Sequence, residues 1–140
     1  MKPEDVRELV VLRMQESEES LQDARLLLSG NRGARTVVNR AYYAAFYSVL
    51  ALLQTIGEIP RKHQGAIAAF DRLFVKTNRL PVQCTKYLHR LFEMRLEDDY
   101  ERVEPIPITE AIAALDMAEQ FVKEVRGYLT RQGYLSAPTS

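Results

Sequence analysis

The sequence predicts an all-α fold, an antiparallel up-and-down bundle of four long helices with one short helix among them. Three observations lead there. Apolar residues recur at three- and four-residue spacings along nearly the whole chain, no segment alternates like a half-buried strand, and Gly- or Pro-containing breaks cut the chain into five pieces. With 140 residues, 46% of them hydrophobic and 27% charged, the chain fits one domain with a real core. That domain is placed at residues 1–134, followed by a frayed tail, 135–140.

The first helix is expected from Pro3 to Ser29. Proline suits a first turn whose N–H groups lack partners anyway, Glu4 and Asp5 suit the positive end of the helix dipole, and "GN" stops the run. Val6, Val10, Arg13, Ser17, Leu21, Ala24 and Leu28 trace one face, which the charged stretch "QESEES" weakens at its middle. The second helix runs from Ala34 to Ile56 and ends at Gly57. Its sequence "AYYAAFYSVLALL" is apolar nearly all round, as in a helix with neighbours on several sides. After the break "EIPRKHQG", a short third helix covers Gln64 to Val75, and "KTNRLP" closes it. The fourth spans Pro81 to Tyr100. Pro105 and Pro107 exclude helix from "ERVEPIPI", since each removes a donor and restricts its predecessor. Thr109 then caps a fifth helix to Arg131, with Ile112, Leu115, Ala118, Val122, Val125 and Leu129 on one stripe.

Composition excludes several functions. Lys plus Arg equals Asp plus Glu at 19 each, so no overall field draws in nucleic acid or anionic lipid, and binding needs a local patch. A single cysteine, Cys84, rules out an internal disulfide and reads as a small core residue. The acids of "MKPEDVRELV" are unlike a secretory signal, and the uncharged run between Arg40 and Glu58 is too short and polar for a membrane span; a cytoplasmic location is expected. A di-iron bundle needs Glu-x-x-His pairs, and neither His63 nor His89 has a glutamate three residues before it. "GNRG" lacks the spacing of a phosphate loop. No metal or cofactor is expected.

The informative polar residues collect at one end of the bundle. On the fourth helix Cys84, Leu88, Leu91, Arg95 and Asp99 step by four, three, four and four, so Arg95 and Asp99 continue the buried stripe while Glu93 and Glu97 face solvent. Arg95 and Asp99 form a candidate desolvated ion pair, which Tyr100 could complete with a hydrogen bond. If the second and fourth helices run antiparallel, Asn39, Arg40 and Tyr43 approach Arg95, Asp99 and Tyr100. Two guanidiniums, a carboxamide and phenols suit a phosphate or nucleotide; a polar plug that fixes helix register is the other reading. His63 is expected at the entry to the third helix, capping or facing solvent, near the far end of the second helix and so away from Arg95. His89 is expected on an outer, solvated face. Tyr42, Phe46 and Tyr47 are more aromatic surface than one core needs, which points to a dimer stripe, unless all three are interior.

Together, "NRAYYAAFYSVLALL", "KHQGAIAAFDRLFVKT", "RLFEMRLEDDY" and "ITEAIAALDMAEQFVKEV" resemble the HEPN (higher eukaryotes and prokaryotes nucleotide-binding) family, from about Leu21 to Leu129. The likeness is to the small stand-alone prokaryotic branch with a Tyr-Tyr-Ala helix and an Arg-x-x-x-Asp-Tyr ending. It implies a four-helix bundle with one short helix, often dimeric. Many such proteins are metal-independent ribonucleases with an arginine followed four to six residues later by a histidine, the pairs meeting across the dimer. Many are toxins encoded beside a nucleotidyltransferase that restrains them. Here Arg95 stands at the motif arginine, but Asp99 and Tyr100 stand where the histidine belongs. An aspartate beside an arginine holds its proton poorly and is a weak acid catalyst near neutral pH. The expected function is a homodimeric nucleotide- or RNA-phosphate-binding module with a nucleotidyltransferase partner, binding through Asn39, Arg40 and Tyr43. The alternative is a ribonuclease toxin with Arg95, Asp99 and Tyr100 as catalytic residues.

Overall fold

A computed structural model describes residues 1–97 and 103–137. These form α1 (Pro3–Ser29), α2 (Ala34–Thr55), α3 (His63–Phe70), a π turn (Asp71–Val75), α4 (Val82–Leu96) and α5 (Ile108–Arg131), with no strand among the described residues. The expected extension of α4 to Tyr100 falls outside them.

The α1–α2 hairpin is made by its turn. Asn31 takes φ 54° and Gly33 φ 68°, the left-handed region that asparagine and glycine tolerate best. The Asn31 and Arg32 N–H groups donate to the carbonyls of Leu28 and Leu27 at 2.9 and 3.1 Å, satisfying the last carbonyls of α1. Beyond the turn, small residues face each other: Ser17, Ser20 and Ala24 of α1 and Ala41, Ala44, Ala45 and Ser48 of α2 are all buried. The Ser17 hydroxyl donates to the Ala44 carbonyl at 2.7 Å. The stretch that looks weak as an apolar face is therefore tightly engaged, because serine is small enough to admit the α2 backbone and carries its own donor.

Helix directions follow from cross-links. Arg25 reaches Glu119 at 3.2 Å and Arg126 reaches Glu18 at 4.0 Å, so α5 runs antiparallel to α1. Tyr87 donates to Gln120 at 3.2 Å, tying α4 to α5. These ties are exposed and fix orientation more than they add stability. The core beneath them includes Phe70, Phe74 and Phe121, with Phe70 and Phe121 ring centroids 5.4 Å apart.

Several expectations change in detail. The third helix is α-helical only to Phe70; the next five residues widen into a π turn, with the Lys76 N–H donating to the Asp71 carbonyl at 2.9 Å. Asp71 also accepts from the Thr85 hydroxyl and pairs with His89 Nε2 at 2.6 Å, so the turn is anchored on α4. His89 itself is exposed, as expected. Pro107, in extended backbone, occupies the N-cap position of α5, which leaves Thr109 inside the first turn without a capping bond. Ile112 is 50% exposed and lies off the buried stripe, where Ala111 takes the inward place. Cys84 is buried and desolvation pushes its thiol up to about 11, in keeping with a core role. No helix is long and apolar enough to cross a membrane among the described residues.

The close approach at Ser17 can be tested by chemical denaturation. Ser17→Ala should cost about 1 kcal/mol through the lost hydrogen bond. Ser17→Leu should cost about 1–3 kcal/mol or more, although it adds apolar surface, because the facing helix leaves no room. A Leu variant as stable as the wild type would show the two helices to be loosely packed there.

Candidate functional site

The N-terminal half of α2 sorts its aromatics by spacing. Tyr42 and Phe46, four apart, point into the core and are 0% and 8% exposed; Tyr43 and Tyr47, on the adjoining line, are half-buried. Two of the three aromatics considered for a dimer stripe are thus interior.

The chain then returns to this half. From Phe46 to Thr55 the helix rises roughly 14 Å at 1.5 Å per residue. The link 56–62 is long enough to cover that distance backwards at about 3.3 Å per residue. It delivers His63, the first residue of α3, onto the aromatic cluster. The His63 ring stacks on Phe46 with centroids 4.1 Å apart and planes 16° apart, and meets Tyr43 edge-on at 5.8 Å. Its Nδ1 shares a 2.8 Å hydrogen bond with the Tyr42 hydroxyl. The expected position at the far end of α2 is therefore corrected: the sequence distance was read along the helix, whereas the link folds back beside it.

Arg95 enters from the last turn of α4. Its guanidinium carbon lies 5.3 Å from the Tyr42 ring centre and 5.4 Å from that of Tyr43, and its Nε is sealed from solvent. The start of α2 does meet the end of α4, as antiparallel packing requires. The Arg40 guanidinium lies 5.2 Å from the Tyr43 ring, so Tyr43 carries cation–π contacts to both arginines. Asn39 Oδ1 accepts from Arg40 Nε at 3.1 Å and Nη2 at 2.7 Å, which makes Asn39 a brace for Arg40. On its other side Arg40 borders a shallow hollow of about 200 Å³ with Glu16, Glu19, Ser20, Asp23 and Tyr47. Those carboxylates compete with any anion for Arg40. Asp99 and Tyr100 lie outside the described residues.

Burial acts on both hydrogen-bonded partners in the cluster. Desolvation, and secondarily the Arg95 charge, lower the His63 pKa, favouring the neutral imidazole. Desolvation raises the Tyr42 phenol, with the Arg95 charge opposing it, so Tyr42 stays protonated. The combination places a cation beside a neutral imidazole able to take up a proton. No group of three or more His, Cys, Asp and Glu residues could hold a metal ion among the described residues. His63 and Tyr42 are the residues that sequence reasoning left out of the site. The signal was the length of the link, which permits a return path.

The sequence profile of the HEPN domain matches residues 10–128, most of the chain. The chain belongs to the HEPN domain family. Within that family it is 38% identical to a UPF0332 protein of Thermotoga maritima, across 77% of this chain and 86% of that one. It is 33% identical to the Methanocaldococcus jannaschii protein named "Putative toxin MJ0605", across 87% of this chain and 90% of its relative. It is also 35% identical to "Putative toxin MJ0142" of the same organism, across 70% and 67%. Asn39, Arg40, Tyr42, Tyr43, His63 and Arg95 all fall within the HEPN match.

The depressed pKa of His63 has a consequence for this HEPN domain's stability. The unfolded chain takes up the proton near its ordinary value of about 6.5, the folded chain only at lower pH, so the associated stability is complete above about pH 6.5 and is lost as pH falls through the folded value. Melting followed from pH 7.5 to pH 5 should show a larger drop in Tm for the wild type than for His63→Gln. Equal drops would mean that the ring is not held in an apolar setting.

Proposed function

We propose that this HEPN protein is a toxin-like module that grips the phosphate backbone of single-stranded RNA, or the phosphate of a nucleotide, at the Arg95 end of the bundle. The observation that carries the proposal is the Arg95 guanidinium held against the rings of Tyr42 and Tyr43 with its Nε sealed from water. A guanidinium fixed in this way presents a planar fork to phosphate oxygens. Arg40 contributes less, because Glu16, Glu19 and Asp23 border it. The toxin-like character rests on the names of the two archaeal relatives. The partners we propose, a second copy of the chain and a nucleotidyltransferase that restrains the module, rest on the family relationship, and RNA as ligand places its action in the cytoplasm.

Fluorescence anisotropy with a short labelled single-stranded RNA tests the binding. Arg95→Ala should weaken binding about tenfold or more and flatten its salt dependence by close to one phosphate contact, with Arg95→Lys intermediate and Arg40→Ala a smaller loss. Equal affinity of the wild type and Arg95→Ala would overturn the site. Light scattering should give twice the chain mass at micromolar concentration; a monomer there would overturn the dimer.

A further inference from the structure

We infer that the hollow between α1 and α2 beside Arg40 is a docking site for an arginine side chain of a basic partner protein. The inference stands apart from the RNA reading, since it concerns a different hollow and a cation in place of an anion.

Helical spacing gathers the acids. Glu16, Glu19, Ser20 and Asp23 are three or four residues apart and share one face of α1, and with Arg40 and Tyr47 of α2 they line a hollow of about 200 Å³. The charges in it do not cancel. Glu16 already holds Arg13 at 2.9 Å, while Glu19 and Asp23 make no ion pair or hydrogen bond among the described residues. Arg40 is engaged within its own helix. Its Nε and Nη2 donate to Asn39, its guanidinium lies 5.2 Å from the Tyr43 ring, and it pairs with no carboxylate among the described residues.

Ser20 gives an independent sign of a missing ligand. It is 3% exposed, and its hydroxyl makes no hydrogen bond among the described residues. The other two buried serines, Ser17 and Ser48, donate to backbone carbonyls at 2.7 and 2.6 Å. A buried hydroxyl in the wall of a hollow costs stability unless a group from outside meets it.

The hollow is thus rich in acceptors and poor in donors. It offers the carboxylates of Glu19 and Asp23 and the hydroxyls of Ser20 and Tyr47, with its one cation turned to other contacts. A planar group that carries positive charge and only donates satisfies that set, and this describes a guanidinium. A phosphate or carboxylate would be repelled, and no three His, Cys, Asp or Glu among the described residues could hold a metal ion. Folding does not call for the charges, because Glu19 and Asp23 are exposed like charges four apart, which weakens a helix. The source is a protein segment, since so shallow a hollow would hold a free guanidinium poorly. α1 carries seven acids and three bases while the whole chain is balanced at 19 of each, so a basic segment finds further contacts along the helix.

The test titrates the nitrogen-15-labelled full chain with a short capped peptide of arginine, glycine and serine, and with its counterpart carrying citrulline at each arginine. The arginine peptide should shift the backbone amides of residues 16–23 and 40–47, and the citrulline peptide should not. Glu19→Gln with Asp23→Asn should weaken binding about fivefold or more, and Ser20→Ala about threefold. Glu4→Gln with Glu8→Gln removes the same charge too far along α1 for a short peptide to reach, and should change binding less than about twofold. The variant at Glu19 and Asp23 should melt no lower than wild type. No shift with the arginine peptide, equal binding of the citrulline peptide, or equal weakening by the two double variants overturns the site. A clear fall in Tm of the Glu19 and Asp23 variant overturns it too, by making those carboxylates structural. Free arginine binding as tightly as the peptide would make the ligand a small molecule, and dissociation of that variant into monomers under light scattering would make the occupant a second copy; either overturns the basic partner.

Discussion

The breadth of the dry face of α2 governs the rest of the molecule. Val37, Val38, Ala41, Tyr42, Ala44, Ala45, Val49, Ala51, Leu52 and Leu53 are all fully buried and occupy more than half of the circumference, while the line of Arg40, Tyr43, Tyr47 and Leu50 is half-buried. Leaving any of those directions in water would forfeit roughly 25 cal/mol for each Å² of apolar surface. The helix therefore has to be enclosed, and α1, α3, α4 and α5 all pack on it. The side chains facing each neighbour decide how near it comes. Alanine and serine bring α1 close, and the aromatics receive α3 and α4.

Enclosure also explains the chemistry of the polar end. Tyr42 has a buried ring and a hydroxyl that needs a partner, and the aromatic half of α2 is where two connections can supply polar groups from outside. His63 satisfies the hydroxyl, and Arg95 lies across the ring faces. The same loss of water that drives packing pushes the phenol and the imidazole towards their neutral forms beside the guanidinium. Structural need and chemical potential thus lie in one set of contacts.

Local periodicity made most of the fold legible, because a helix records its buried side every three or four residues. The bounds of α1, the end of α5, the break at Gly57 and the inward lean of Arg95 follow from spacing and turn chemistry alone. Failures came where a neighbour decides. Ile112 and Ala111 differ by one position, and only the packing partners choose between them. Thr109 is a good cap by type, but the proline two residues earlier already starts the helix. The serines of α1 count against burial on any hydropathy scale, and become assets only opposite alanines. His63 was the largest miss, since nothing local states that a seven-residue connection doubles back. The bond by which Asn39 holds Arg40 is likewise visible only in the fold.

The hairpin of α1 and α2 has a short turn and can close as soon as both helices exist. The Arg95 cluster joins α2 to residues that follow it by whole helices, so it is completed late in synthesis. A ribosome emits the N-terminal half of this chain with the aromatic row in place and the guanidinium of α4 still unmade. The polar end is thus assembled only after most of the protein has emerged, and the aromatic row waits for its guanidinium until then.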